Sequence, residues 1–484
     1  MLKIYSKISK KQIGILLVDL LIIWISIKLG HIIRLGYGSV VSLGYIVSNL
    51  FIYVITFYIG GLYDFRTDFR KKKIIVNLVV SIGAGTLAII FFFYYIFLYI
   101  ENFLPLGRGV LVIQTIFVFL GILAWRILYS KVAMARIFRK KALILGCGNG
   151  GRGIARLTNQ LESPDIEIVG FLDIKKEKEG KTVEGYKVFW QKGTLKDSVA
   201  EMMPDMLVIA MRSERYKHIL KDLTWCSQNG IEIEDMTSLF EKLGGRIPLK
   251  YIDDSWILFS SINRPRMYFR RIKRLIDIIV SAISLLISLP LTIPVAIAIK
   301  IFDKGDIFYR QKRIGESGRE FKFIKFRSMV QDADKENSIW VRMDEDKRIT
   351  KIGRFIRKWH IDEIPQLLNV LKGDMSVVGP RPEKESISNQ FLKRVPVNIN
   401  KRTKVDSRDY FGNYHEKIPY YAQRLSVKPG ITGWAQVMYP YASSFEQTAE
   451  KLEYDMYYLK NMSLALDMAI ILKTIRVVLL GKGK

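Results

Sequence analysis

Residues Arg264 to Gly305 read RPRMYFRRIKRLIDIIVSAISLLISLPLTIPVAIAIKIFDKG. The apolar part, about Leu275 to Phe302, is long enough to cross a bilayer as a helix. Its flanks argue against a simple crossing. Arg264, Arg266, Arg270, Arg271, Lys273 and Arg274 precede it, while Lys300, Lys304, Arg310, Lys312 and Arg313 follow it. Positive charge marks the cytoplasmic side of a membrane segment, and here it marks both ends. Pro290 and Pro294 interrupt the middle, and each removes a helical hydrogen bond and bends the chain. The stretch therefore predicts a re-entrant membrane helix over about 275–302, a helix-break-helix that enters one leaflet and returns. The alternative is a full span, which would put everything after it on the far side.

Downstream, FYRQKRIG and REFKFIKFRSM read as short strands carrying Arg310, Lys312, Arg313, Lys322, Lys325 and Arg327. Alternation along such strands allows these cations to share one face and line a diphosphate site, with Lys325 and Arg327 chosen for substrate. A strip resting on anionic lipid is the other reading. DEDKRIT adds Asp344, Asp346 and Arg348 as metal or phosphate candidates. Thr350 to Glu383 then reads TKIGRFIRKWHIDEIPQLLNVLKGDMSVVGPRPE. It joins a basic cluster (Lys351, Arg354, Arg357, Lys358), an acidic pair (Asp362, Glu363), a helix over about Ile364–Leu371 and a Gly-Pro-Arg-Pro turn. Pro365 fits the first helical turn, where its missing N–H costs nothing. The pair then lies at the helix entrance, where the dipole favours an ionised carboxylate, the form a nucleophile or Mg²⁺ ligand must have. An N-cap with solvated charges is the plainer account of the same residues. From Ser386 to about Tyr420 the chain is polar, basic and irregular, as a surface insertion would be. KPGITGWAQV supplies a tight turn and an aromatic strand. The last helix gathers Leu464, Met468, Ile471, Leu472, Ile475, Val478 and Leu479 on one face, for the membrane interface or for the domain core.

Four ordered motifs between Arg270 and Gly483 carry a resemblance: FYRQKRIGESGREFKFIKFRSM, RITKIGRFIRKWHIDEIPQLLNVLKGDMSVVGPRP, KPGITGWAQV and YDMYYLKNMSLALDMAIILKTIRVVL. Together they resemble the bacterial polyprenyl-phosphate phosphoglycosyl transferases, the monotopic sugar transferase family, in its long, undecaprenyl-phosphate galactose- or glucose-phosphotransferase-like form. The resemblance implies transfer of a sugar 1-phosphate from a UDP-sugar to undecaprenyl phosphate, with UMP leaving, as the first membrane step of exopolysaccharide, capsule or O-antigen synthesis. It implies that Asp362 is the nucleophile, forming an aspartyl phospho-sugar, and a Mg²⁺ ligand. Glu363 would orient or deprotonate the acceptor or assist the metal, while Arg357 and Arg381 would clamp phosphate oxygens. Three departures stand out. Leu289, not serine, precedes Pro290; His360 replaces a small hydroxyl residue; and MYPYASS follows KPGITGWAQV where Asn-Gly-Arg is commoner.

Upstream, KALILGCGNGGRGIARLTNQL reads as a strand, a glycine-rich turn and a helix. Gly146, Gly148 and Gly151 satisfy G-x-G-x-x-G, and IEIVGFLD ends at Asp173, about where a Rossmann unit places its ribose-binding acid. DMLVIAM and GIEIEDM read as further parallel strands. An α/β Rossmann-like domain is expected over 139–250, with a nucleotide as its candidate ligand and an empty structural or regulatory fold as the competing account. No Tyr-x-x-x-Lys pair occurs, against a short-chain sugar dehydratase or epimerase.

The N-terminal 135 residues carry four apolar runs, about Ile13–Ile33, Leu43–Leu62, Ile74–Ile100 and Val110–Tyr129, each able to span as a helix. Lysines and arginines concentrate before the first run, between the second and third, and after the fourth. The positive-inside rule makes both ends cytoplasmic, predicting a multi-pass protein of the bacterial inner (plasma) membrane with cytoplasmic soluble domains. Asp19 and Arg126 read as an inter-helix contact. The 484 residues carry a formal charge of +29, which calls for anionic partners: lipid headgroups and phosphorylated substrates, with nucleic acid excluded by the absence of any such motif. Two cysteines, Cys147 and Cys226, rule out a disulfide framework, and the four histidines have no zinc spacing. The chain is thus expected to be a membrane protein with a four-helix bundle, a Rossmann-like domain and a C-terminal α/β catalytic domain over 264–484, with homo-oligomers allowed. A catalytically silent nucleotide-sensing scaffold and a membrane-tethered NAD-dependent nucleotide-sugar enzyme are the competing functions.

Overall fold

The computed structural model describes residues 10–37, 41–63, 72–99, 108–133, 139–161, 166–211, 217–252, 256–257, 260, 267–303, 305–330, 348–383, 420–439 and 445–479. Asp344, Asp346, the 386–419 insertion and most of the basic connectors of the bundle lie outside them. The chain forms two compact units, Met1–Gly244 and Gly245–Lys484.

The first unit opens with four apolar helices, α1 (Lys10–Leu35), α2 (Leu43–Ile59), α3 (Lys72–Tyr99) and α4 (Arg108–Ala133). They match the four expected runs. α2, at 17 residues, stops before the expected Leu62: Gly60 caps it and the chain turns. Ile23, Ile27, Tyr53, Phe57, Ile89, Val118 and Ile122 fill the bundle interior, while Leu17, Leu87 and Phe91 point outward, as in a helix group solvated by lipid. Two polar links pin the interior. Arg126 donates to Asp19 at 2.5 Å with both side chains buried, the expected inter-helix contact. Tyr45 donates to Gln114, and Gln114 to Asn49, each at 2.7 Å. Buried polar groups without water must find such partners.

The same unit holds a sheet of six strands in the order β3-β4-β2-β1-β5-β6: β1 (Lys140–Leu145), β2 (Ile166–Asp173), β3 (Thr182–Val183), β4 (Tyr186–Trp190), β5 (Met206–Ile209) and β6 (Glu232–Asp235). All neighbours are parallel except β3 and β4. Helices α5 (Asn149–Gln160), α6 (Leu195–Met202), α7 (Leu220–Gln228) and α8 (Met236–Gly244) complete it. β1 is buried on both faces, with Ala142 and Ile144 in one cluster and Leu143 and Leu145 in the other, so its run ALIL is continuously apolar. The Rossmann-like expectation holds.

The second unit begins at Gly245. Ile247 and Leu249 belong to the same buried cluster as Leu452, Met456 and Tyr458, and Trp434 donates its indole N–H to Gly245 O at 2.7 Å. The segment 267–302 is one helix, α9 (Met267–Phe302), with Pro290 and Pro294 inside it, where the sequence predicted two helices and a break. Hydroxyls beside the prolines accompany this: Ser288 donates to Leu285 O and Thr292 to Leu289 O. There follow the hairpin β7 (Phe308–Ile314) and β8 (Glu320–Phe326), α10 (Lys351–Lys358), α11 (Gln366–Lys372), the parallel pair β9 (Ser376–Val378) and β10 (Gly430–Thr432), α12 (Trp434–Met438), α13 (Phe445–Asn461) and α14 (Leu464–Leu479).

Both ends of α9 pack on this unit. Near its start, Arg274 donates to the carbonyls of Val370 and Leu371 at the end of α11, a cation satisfying helix C-terminal acceptors. Asp277 accepts from Ser376 Oγ and Val377 N, both at 3.0 Å. Near its end, Val295 and Ile299 are buried with Phe326, Ile356 and Ile361. Between them Ile283, Leu286, Ile287, Leu289 and Ile293 are exposed. α14 divides its apolar residues: Ile470 is fully buried, while Leu464, Met468 and Ile475 remain exposed.

Candidate active site

The turn between α10 and α11 is built by local rules. Thr350 caps α10 by accepting from Gly353 N at 2.8 Å. Glycine is required at 353, because a Cβ there would meet Ser328 O at 2.0 Å. α10 ends at Trp359, and His360 takes a left-handed conformation, φ 54°, which is costly for a residue with a Cβ. It reverses the chain into a single 3₁₀ turn, Ile361–Glu363. Pro365 stands at the N-cap of α11, one place before the first helical residue, not inside the first turn. Ile361 enters the cluster formed with α9, and this plants its neighbour Asp362, 7% exposed.

No hydrogen bond or ion pair engages the Asp362 carboxylate among the described residues. Burial and the adjacent Glu363 push its pKa up to about 6, while Lys325, Arg357 and His360 pull it back. Burial lifts the group, and nearby cations pull it back towards the ionised form. Glu363 is different. Burial opposes its charge, but Arg381 holds it below the usual range through a 2.6 Å ion pair. The two carboxylates thus sit side by side with pKa values driven apart, a feature of sites with divided chemical roles.

The other predicted residues divide. Lys325 is beside Asp362 electrostatically; burial lowers it to about 8, against the pull of Asp362, and its ammonium lies 5.3 Å from the Tyr309 ring centre. Arg357 donates Nε to Ser328 Oγ at 2.8 Å and is a cationic neighbour of Asp362. Arg327 is elsewhere: it is buried, donates to Asp303 O at 3.0 Å and packs against Gly305 so closely that a Cβ there would meet its guanidinium at 2.1 Å. It follows the last residue of β8, so strand alternation no longer governs where it points. The single cationic face expected of the hairpin is also divided. The register pairs Tyr309 with Lys325 and Arg313 with Phe321, and pairs Lys312 with Lys322, so Arg313 and Lys325 share one face and Arg310, Lys312 and Lys322 the other.

Sequence reading missed the support of Arg381. Arg424, 5% exposed, donates to Arg381 O at 2.9 Å and to Tyr421 Oη at 3.0 Å. It pairs with Asp455 at 3.0 Å and Glu383 at 3.4 Å, and Lys451 reaches Glu383 at 3.0 Å. Arg313 donates to Pro382 O at 2.8 Å. The Gly-Pro-Arg-Pro turn is thus held from both sides. Asn369 was also missed: it accepts from Ile324 N at 3.1 Å and donates to Lys322 O at 2.7 Å, tying β8 to α11.

A Mg²⁺ ion fits Asp362 only with help. Among the described residues no group of three or more His, Cys, Asp or Glu is placed to hold a metal. One open carboxylate completed by diphosphate oxygens and water is, however, the usual manner of holding Mg²⁺.

In the middle domain, Gly146 has φ 100°, and a Cβ on Gly151 would meet Gly146 O at 2.3 Å. Gly148 is the N-cap of α5 and supplies no side chain. Gly146 and Gly151 thus serve the tight turn and the close approach of helix to strand. Asp173, the expected ribose ligand, is already engaged by its own chain: Lys178 donates at 2.9 Å, Cys147 Sγ at 3.0 Å and Lys175 N at 3.0 Å. Burial alone would raise it, but these bonds hold it at about 2.

Comparison with known proteins places this geometry. A model of the bacterial sugar transferases matches residues 268–407 and 403–481. EpsL of Bacillus subtilis (strain 168), described as an uncharacterized sugar transferase, is 39% identical over 212 residues, 44% of this chain and 89% of that protein. The chain belongs to the bacterial sugar transferase family. The polyprenyl-phosphate phosphoglycosyl transferase resemblance read from the four motifs holds for this family member. It is similar over nearly its whole length to the UDP-glucose:undecaprenyl-phosphate glucose-1-phosphate transferase of Klebsiella pneumoniae, 29% identical over 94% of this chain and 93% of that one. It is also similar to the UDP-N-acetylgalactosamine-undecaprenyl-phosphate N-acetylgalactosaminephosphotransferase of Aeromonas hydrophila, 37% identical over 54% of this chain. The chain spans only 55% of the length of that relative. A second model, described as a CoA-binding domain, matches residues 59–236 of this chain.

Proposed function

We propose that the chain transfers a sugar 1-phosphate from a UDP-sugar to undecaprenyl phosphate at the inner membrane, releasing UMP, in the synthesis of a surface polysaccharide. The observation that carries this is Asp362: a buried carboxylate with no hydrogen-bond or ion-pair partner among the described residues, flanked by cations and next in the chain to Ile361, which packs against Val295 and Ile299 of α9. In the proposed reaction, Asp362 Oδ attacks the β-phosphorus of the donor. The bond from that phosphorus to the UMP oxygen breaks, and an aspartyl phospho-sugar remains. An oxygen of the lipid phosphate then attacks the same phosphorus, the acyl–phosphate bond breaks, and the carboxylate is restored. Dividing the transfer lets one site serve a water-soluble donor and a lipid acceptor in turn.

The residues have distinct tasks. Lys325 and Arg357 balance charge on the incoming diphosphate. Arg381 orients Glu363 and offers its outer edge to phosphate oxygens, for which a planar fork suits. Glu363, held ionised, is better placed to orient than to deprotonate. A phosphate monoester has a second pKa of about 6, so the acceptor arrives mostly ionised at neutral pH and needs little base. Mg²⁺, held by Asp362 and the diphosphate, would supply neutralisation of phosphate charge.

The return of α9 to one membrane face belongs to this reading. Asp277 and Ile299 are both buried in the same unit, while the helix between them is exposed and apolar. A helix bent at Pro290 and Pro294 accounts for both, with all soluble parts cytoplasmic beside the UDP-sugar. Cysteine labelling at Lys273 and Lys304 tests the return; labelling from opposite sides refutes it. For the activity, membranes holding the chain are incubated with UDP-sugars and undecaprenyl phosphate. UMP release with lipid-linked product and no NAD requirement is expected. Silence with every donor favours the scaffold, and a change in NADH favours the oxidoreductase.

A further inference from the structure

An open apolar groove of about 300 Å³ runs beside the second half of α9, lined by Ile293, Ala296, Ile297, Lys300, Ile301 and Ile307. Its size is at the lower end of small-molecule sites, roughly 300–1,000 Å³. Ile293, Ile297 and Ile301 recur every four residues and form one wall. They are exposed, at 54%, 53% and 60%. Ile307, just before β7, forms the other wall, and Ala296 is the small residue between them. Lys300 stands at the rim, and among the described residues it makes one long hydrogen bond, 3.4 Å, to Gly305 O. Every other lining group is hydrocarbon.

The position of the groove carries the argument. Ala296 and Ile307 pack on the cluster that contains Val295, Ile299, Phe326, Ile356 and Ile361, and Ile361 is joined directly to Asp362. The groove wall and the nucleophile's turn thus share one packed cluster. We propose that this groove seats the isoprenoid segment next to the phosphate of the polyprenyl phosphate acceptor, with Lys300 drawing the phosphate to the rim. The inference rests on the transferase reading above. A chain of branched isoprene units suits a furrow between isoleucines. An ammonium at the edge of an apolar furrow complements a lipid carrying a single anionic head. Holding the first isoprene units fixes where the phosphate emerges, which is what positions a second substrate for in-line attack.

The test uses the full chain in nanodiscs of phosphatidylcholine. Ile297→Trp and Ile301→Trp fill the groove from exposed positions, where a larger side chain does not disturb the core. Each should raise KM for undecaprenyl phosphate by roughly tenfold or more. KM for the UDP-sugar and the burst of UMP formed without acceptor should stay at wild-type values. Lys300→Gln should raise acceptor KM several-fold, and Lys300→Arg should restore it. Acceptor KM unchanged in both tryptophan variants overturns the proposal, as does an equal loss in the acceptor-free burst. If phosphatidylglycerol raises the wild-type acceptor KM but not that of the filled variants, the groove belongs to ordinary anionic phospholipid, and the proposal also fails. A wild-type chain that releases no UMP contradicts the transferase reading itself, a result distinct from all of these.

Discussion

Replacing Arg424 by methionine tests how the phosphate-facing turn is held. The guanidinium is 5% exposed, is ion-paired with Asp455 and Glu383, and donates to Tyr421 Oη and the carbonyl of Arg381. Methionine retains much of the volume and removes the charge. Asp455 then loses the main cation opposing its burial, and Glu383 keeps Lys451 and the more distant Arg313. Breaking a buried pair by deleting one partner costs about 3–5 kcal/mol. For a body of 150–250 residues, each kcal/mol lowers Tm by about 2–4 °C, so a fall of about 6–20 °C is expected. The assay is thermal unfolding of the purified chain in nanodiscs, followed by tryptophan fluorescence. Adding Asp455→Asn to Arg424→Met should recover part of the loss, because the stranded charge is then gone. Activity gives a second reading. Arg381 is displaced with its backbone, so kcat should fall even at temperatures where the variant is folded. A loss below about 1 kcal/mol, the worth of an exposed pair, would refute the claim that this network holds the turn.

Other expectations are briefer. Activity should follow a bell-shaped pH profile: the acid limb falls as Asp362, at about 6, gains a proton, and the alkaline limb as Lys325, at about 8, loses one. Lys325→Arg should keep the charge and remove the alkaline limb; a limb unmoved in that variant assigns it elsewhere. Glu363→Gln should lower kcat by up to about a hundredfold, the cost of a misplaced reactant, while Arg381→Lys should raise donor KM because a point charge replaces a fork. Asp19→Asn should destabilise the bundle by stranding buried Arg126, and Asp19→Asn with Arg126→Gln should recover part of that; equal melting of the single and double variants would contradict the pairing.

The legible parts of the sequence were those in which neighbours along the chain are neighbours in space. Asp362, Glu363 and Arg381 lie within one run, and the structure keeps them together. The apolar runs of the bundle and the strand-turn-helix at Gly146 were likewise local patterns. Arg327 was misread because strand alternation was carried one residue past the end of β8. Helix α9 was read as two helices and a break because two prolines weaken a helix, yet Pro290 and Pro294 lie inside one helical run whose two ends are both packed. Asp173 has the right spacing for a ribose ligand, but spacing does not reveal that Lys178 would fold back onto it. Arg424, Asp277 and Asn369 act on groups 40 to 100 residues away. No local periodicity carries such pairings; only a buried charge in an otherwise apolar stretch, as at Asp277, hints at a partner.

One experiment bears directly on the nucleophile. The chain is mixed with UDP-sugar in the absence of lipid acceptor, quenched in acid within its first turnover and digested. Mass spectrometry then locates any phospho-sugar adduct. The adduct should fall on the peptide containing Asp362, disappear on adding undecaprenyl phosphate, and be absent from Asp362→Asn. An adduct on another peptide, or rapid turnover with no adduct at all, would contradict covalent transfer through this aspartate.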